Sequence, residues 1–134
     1  MNIETPWKSI STSQKEVFEF LSDMNNLEKM MPEQVINWKS TNDDCSFTIK
    51  GMSDMSMNIL ERTDASSVKM GSSSSKPFPF PFTLHAQIEE EGDTSRVRLS
   101  FDGKVNAFMS MMIEKPLSNF FNMLLDGLSK HYQK

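Results

Sequence analysis

A chain of 134 residues with 37% hydrophobic and 24% charged residues is one domain's worth of ordinary globular composition, able to bury a core without disulfides or metal. Its formal net charge is −4 and no run of lysine or arginine appears, so nucleic acid is not an expected partner: phosphate neutralisation needs a concentrated basic footprint. The single cysteine, Cys45, excludes an intramolecular disulfide, and no stretch approaches the roughly 18 uncharged apolar residues of a membrane span. With no signal-peptide pattern at the N-terminus, a cytoplasmic protein without stable membrane insertion is expected.

Residues 1–11 can form a first strand that Pro6 confines to a sheet edge or a bulge. Ser13 followed by Glu16 makes a capping box, and Val17, Phe18, Phe20, Leu21 and Met24 continue at helical spacing. A second short helix is expected over Asn26–Met31, ended by Pro32. Val35–Ser40 reads as a strand whose apolar residues do not choose a face.

From Cys45 onward the period changes to two. Cys45, Phe47 and Ile49 share one side of a strand, Gly51 marks a turn, and Met55, Met57 and Ile59 alternate in the next strand. Val68 and Met70 head another that runs into Ser72-Ser73-Ser74-Ser75. Phe82, Leu84, Ala86 and Ile88 alternate with polar residues, as do Val97, Leu99, Phe101 and Gly103 after the Gly92-Asp93 turn. One apolar face per strand and short polar turns predict an antiparallel meander buried on one side. Ala107–Tyr132 carries a wide apolar stripe at helical spacing, with Pro116 inside it and a kink expected over Met112–Pro116.

The element order is strand, two short helices, about six antiparallel strands and a long amphipathic helix. The helix is the only element large enough to cover the sheet's apolar face, and a twisted sheet curls around it. At this point the chain resembles the SRPBCC superfamily, the helix-grip proteins that include START lipid-transfer domains, pollen-allergen-like proteins and polyketide cyclases. The resemblance covers essentially all of residues 1–134 as one α+β domain. It rests on Val17-Phe18-Glu19-Phe20-Leu21-Ser22-Asp23 leading to Asn26-Leu27 and Met31-Pro32, on Gly51 between two strands, and on the C-terminal helix with its Met-rich first half. What it implies is a curved antiparallel sheet of about seven strands around the long helix, with a cavity between them for a lipid, polyketide, hormone or similar apolar molecule.

With that fold, parity alone places Phe47, Ile49, Met55, Met57, Met70, Phe82, Leu84, Val97, Leu99 and Phe101 on the inner face of the sheet. Met109, Met112, Ile113, Leu117, Phe120 and Leu124 are expected to face them from the helix. Such a lining suits an apolar guest held by buried area; the alternative is that these side chains fill the space themselves. Twelve methionines support either, since the flexible thioether can adapt a cavity or fill a core.

Two readings also stand for the segment Ser72–Phe82, where three prolines impose an extended backbone and set Phe78, Phe80 and Phe82 on one side. Either Phe78 and Phe80 form a hydrophobic lip on a rim shared with Gly51 and Gly103–Ala107, or they pack inward as core. A third account has them dipping into a membrane or partner surface.

Catalytic candidates are few. His85 alternates with Leu84 and Ala86 and so points outward, His131 lies at the helix end, and Cys45 shares the apolar parity with no basic partner. No spacing suggests a metal site, and no cofactor is expected. The leading expectation is a binding or carrier domain for a small hydrophobic molecule. The alternatives are a cyclase-like or hydrolase-like enzyme, which would need inward polar residues, and a protein-interaction domain of chaperone-cofactor type.

Overall fold

A computed structural model of the chain describes residues 1–73, 78 and 80–133. The predicted first strand divides in two: β1 (Asn2–Glu4) and β2 (Lys8–Ile10) both pair antiparallel with β8 (Thr94–Gly103). Pro6 lies in the gap, where its missing N–H costs no ladder bond. Thr5 bridges that gap, its N–H donating to Leu99 O at 2.9 Å and its hydroxyl accepting from Leu99 N at 3.0 Å.

Helix α1 (Gln14–Leu21) starts where expected, with the Glu16 N–H donating to Ser13 Oγ at 3.2 Å. The return arm of the capping box goes elsewhere: the Glu16 carboxylate accepts from the Thr12 hydroxyl. The second helix is a 3₁₀ helix over Met24–Met30, two residues earlier than expected, and Asp23 caps it through Asn25 N. It buries Met24, Leu27 and Met30.

β3 (Val35–Ser40) explains its own ambiguity. Asn37 has φ +59° and the register against β4 (Asp44–Ile49) shifts between Ile36 and Lys39, so side chains before and after the bulge belong to different alternations. β5 (Ser53–Thr63), β6 (Ser67–Ser72) and β7 (Phe82–Glu91) complete an eight-stranded sheet in the order β1-β8-β7-β6-β5-β4-β3, with β2 beside β1 on β8. The Gly92-Asp93 turn joins β7 to β8, and Gly92 supplies its φ of +61°. In β7 and β8 the alternation holds from Phe82 to Ile88 and from Ser95 to Gly103.

Helix α2 (Ala107–His131) runs unbroken through Pro116. What changes at the proline is burial. No residue from 107 to 116 is buried, whereas Leu117, Phe120, Phe121, Leu124, Leu125 and Leu128 after it all are. The fully buried face of α2 therefore belongs to its second part, Met109 and Ile113 of the first part pack on the core half-buried, and the helix lies against the 3₁₀ helix and β2. The core is a three-walled apolar space: the sheet's inner face, the second part of α2, and the cover made by α1 and the 3₁₀ helix.

Candidate functional site

Between these three walls lies an enclosed void of about 20 Å³. From the sheet, Phe47, Met55, Met57, Met70, Leu84, Ala86 and Leu99 line it; from α2, Phe120, Phe121 and Leu124. Leu21, Leu27, Met30 and Met31 close it from the α1 and 3₁₀ side. Every lining side chain is apolar, and five of the fourteen are methionine. A void of this size has the room of about one water molecule, and a space without polar partners does not hold water stably. In this conformation the interior is close to solid.

The cavity-facing residues expected from parity fall into three groups. Phe47, Met55, Met57, Met70, Leu84, Leu99, Phe120 and Leu124 line the void. Ile49, Phe82, Val97, Phe101 and Leu117 are equally buried but stand apart from it, sealed among neighbours. Met109 and Ile113 are half-buried and pack against the core away from the void, whereas Met112 is 62% exposed and does not face inward as expected. Before Pro116 the helix face is only partly covered, so one member of a stripe that reads as inward is left in solvent. The void's cover, Leu27, Met30 and Met31, escaped parity because a seven-residue 3₁₀ helix is too short to show a period. The relevant signal was the Met24, Leu27, Met30 spacing of three.

Phe78 and Phe80 take the inward option: they are 1% and 5% exposed. Phe78 meets Phe80 edge-on at 5.2 Å and Phe82 at 5.9 Å, and Phe80 meets Phe101 at 6.2 Å. Ring contacts continue from Phe82 to Phe101, Phe121, Phe120, Phe47 and Trp38, so an unbroken aromatic file crosses the core. Gly103 makes room for this packing, since a Cβ there would lie 2.9 Å from Phe80 Cδ2 and 3.0 Å from Phe101 Cε1. Gly51, at the β4–β5 turn with φ +80°, has no atom within 4 Å of where its Cβ would stand. Residues 74–77 and Pro79, the rest of the expected rim, lie outside the described residues.

The ionisable groups stay away from the void. His85 pairs in register with Lys69 and Ser100 on the outer face, as its parity requires. On that face Arg96 and Arg98 each hold a guanidinium carbon 4.6 Å from the centre of the Trp7 ring, a pair of cation–π contacts beside Glu89 and Glu4. Burial pushes the Cys45 thiol up to about 12, helped by the negative charge of Asp44 and opposed by a backbone hydrogen bond to Met57. A thiol so held keeps its proton at neutral pH and is no nucleophile. Among the described residues no cluster of His, Cys, Asp and Glu could hold a metal ion, and no helix is long and apolar enough to cross a membrane.

No protein-family model matches the chain, and no curated protein sequence matches it. Solved structures do match over nearly its whole length. The protein XoxI from Bacillus cereus superposes with a TM-score of 0.77 at 16% identity, covering 98% of this chain and 94% of that one. A START superfamily protein from Mycobacterium smegmatis gives 0.74 at 10% identity, covering 98% and 99%. The fold is that of the SRPBCC helix-grip proteins. Norcoclaurine synthase from Thalictrum, in complex with a transition-state analogue, shares it with a TM-score of 0.77 at 11% identity over 98% of this chain and 93% of that one. At such identities the likeness speaks for the helix-grip architecture alone.

Proposed function

We propose that the protein binds or carries a small apolar molecule between the sheet and the second part of α2. The observation that carries this reading is the enclosed, wholly apolar void at the meeting point of the three walls. A guest must enlarge it, because ligand sites commonly span roughly 300–1,000 Å³. The methionines give the means: Met30, Met31, Met55, Met57 and Met70 can turn about three side-chain bonds each without exposing a polar group. The rim residues Gly51, Phe78 and Phe80 belong to the same proposal, with the two phenylalanines as the packed end that yields when a larger guest enters. Binding would draw on buried area, with little directional chemistry.

Native mass spectrometry of gently purified protein, followed by solvent extraction, tests this reading. A stoichiometric apolar molecule supports it. Protein that is empty and also takes up no fatty-acid or polyaromatic probe counts against it.

The enzymatic reading gains no support, since no ionisable side chain lines the void. One observation does favour an interaction domain as a second reading. Phe108, Met111 and Met112 on the first part of α2 are 74%, 84% and 62% exposed, an apolar cluster of the kind that marks partner surfaces.

A further inference from the structure

The void has a neighbour. Between the 3₁₀ helix and the second part of α2 an open groove of about 490 Å³ runs over the surface, lined by Lys29, Met30, Met31, Pro32, Met123, Asp126, Gly127, Lys130 and His131. Groove and void share Met30 and Met31 and no other residue. The outer space is edged by cations and the inner one is purely apolar, and two flexible methionines form the partition.

The charges at the groove are unequal. Its one carboxylate, Asp126, is already paired with Lys8 at 3.2 Å. Lys29 is exposed and, among the described residues, donates to the amide oxygen of Asn26 at 3.3 Å and forms no ion pair. Lys130 is exposed and forms no ion pair among the described residues. His131 lies against Phe20, the ring centres 4.9 Å apart and tilted by 41°. On a chain of net charge −4, this mouth is a local positive site with spare donors.

We infer that the groove is the mouth of the void, and that the molecule it admits is a single-chain amphiphile with an anionic head. The tail passes between Met30 and Met31 into the void, and the head stays at the surface between Lys29 and Lys130. The closest approach of the two helical elements, Gly127 against the Met30 backbone, fixes one side of this mouth. The methionine side chains beside it are the part free to move. This inference rests on the carrier reading and adds to it the class of ligand and its route.

The test compares three probes of equal tail length, dodecanoate, dodecanol and dodecylammonium, on the wild-type chain and on a Lys29→Gln/Lys130→Gln variant. Both lysines are exposed, so the variant should fold with an unchanged melting temperature. Expected are the tightest binding for dodecanoate, its weakening by about tenfold in the variant, and dodecanol affinity unchanged within about twofold. The dodecanoate affinity should also fall with added salt in the wild type only. Dodecanoate and dodecylammonium binding alike, or a variant that binds dodecanoate as well as the wild type, would overturn the mouth while leaving the carrier reading intact. Failure of all three probes to bind would overturn both.

Discussion

Gly127 of α2 lies directly against the backbone of Met30. A Cβ at position 127 would stand 2.9 Å from the Met30 carbonyl carbon and 3.1 Å from its Cα, and closer still to the oxygen. Two opposing effects decide what Gly127→Ala does. Alanine gains about 1 kcal/mol of helix propensity, whereas overpacking costs about 1–3 kcal/mol. The obstacle is a backbone carbonyl, which cannot rotate aside as a side chain can, so the second effect wins. We expect Gly127→Ala to lower unfolding free energy by about 1–2 kcal/mol in a urea titration. A neutral or stabilising result would show that the 3₁₀ helix is not clamped to α2 at this point.

Leu124 reaches from α2 into the wall of the void and is 4% exposed. Leu124→Ala should cost about 2–5 kcal/mol, a transfer term plus a cavity term. The same change enlarges the void, so the variant should take up small apolar guests more readily than wild type, and the guest should restore part of the lost melting temperature. Loss of stability without any gain in uptake would mean that the wall collapses onto the space.

Cys45 sets an alkaline limit on stability. Its folded pKa is about 12 against an ordinary 9.0, raised chiefly by burial. Below pH 9 both states hold the proton and its contribution is constant. Between pH 9 and 12 the unfolded thiol ionises and the folded one does not, so the unfolded state binds fewer protons and stability falls as pH rises, by up to about 1.4 kcal/mol per pH unit. The Cys45→Ala variant is expected to be less stable at pH 7, through lost packing, but to show a flatter decline above pH 9. Parallel alkaline slopes for the two proteins would contradict the buried thiol.

The two parts of α2 should respond oppositely to substitution. Phe108→Ser and Met111→Ser remove exposed side chains and should change unfolding free energy by less than about 0.5 kcal/mol. Leu117→Ala, on a residue with 0% exposure, should cost about 2–5 kcal/mol. Large losses from the Phe108 and Met111 variants would place those two side chains against the rest of the chain.

What could be read from the residues follows from where a single physical period holds. β7 and β8 were legible because Phe82–Ile88 and Thr94–Gly103 alternate without interruption against one buried face. The start of α1 was legible because Ser13 caps it locally. Three features broke the pattern for different reasons. Pro6 divided a strand whose two pieces still pair with one neighbour. The bulge at Asn37 mixed two alternations in β3. In α2 the apolar stripe continues through Met109, Met112 and Ile113, yet Met109 and Ile113 are only half-covered and Met112 is exposed, because a stripe records what a helix could bury and not how far its neighbours cover it. The inward packing of Phe78 and Phe80 was undecidable for a related cause: an extended Phe-Pro segment sets its rings on one side without saying which way that side turns.

The most direct test of the central claim is a methyl-resolved NMR titration with dodecanol on protein labelled at its methionine methyls. Met30, Met31, Met55, Met57 and Met70 line the void, while Met111 and Met112 are exposed, lie apart from both void and groove, and serve as internal controls. The account predicts saturable shifts at the five void methyls and at most weak, non-saturating shifts at the exposed ones. Saturable shifts confined to Met111 and Met112, with the void methyls unmoved, would contradict a ligand site between sheet and helix and place recognition on the outer face of α2.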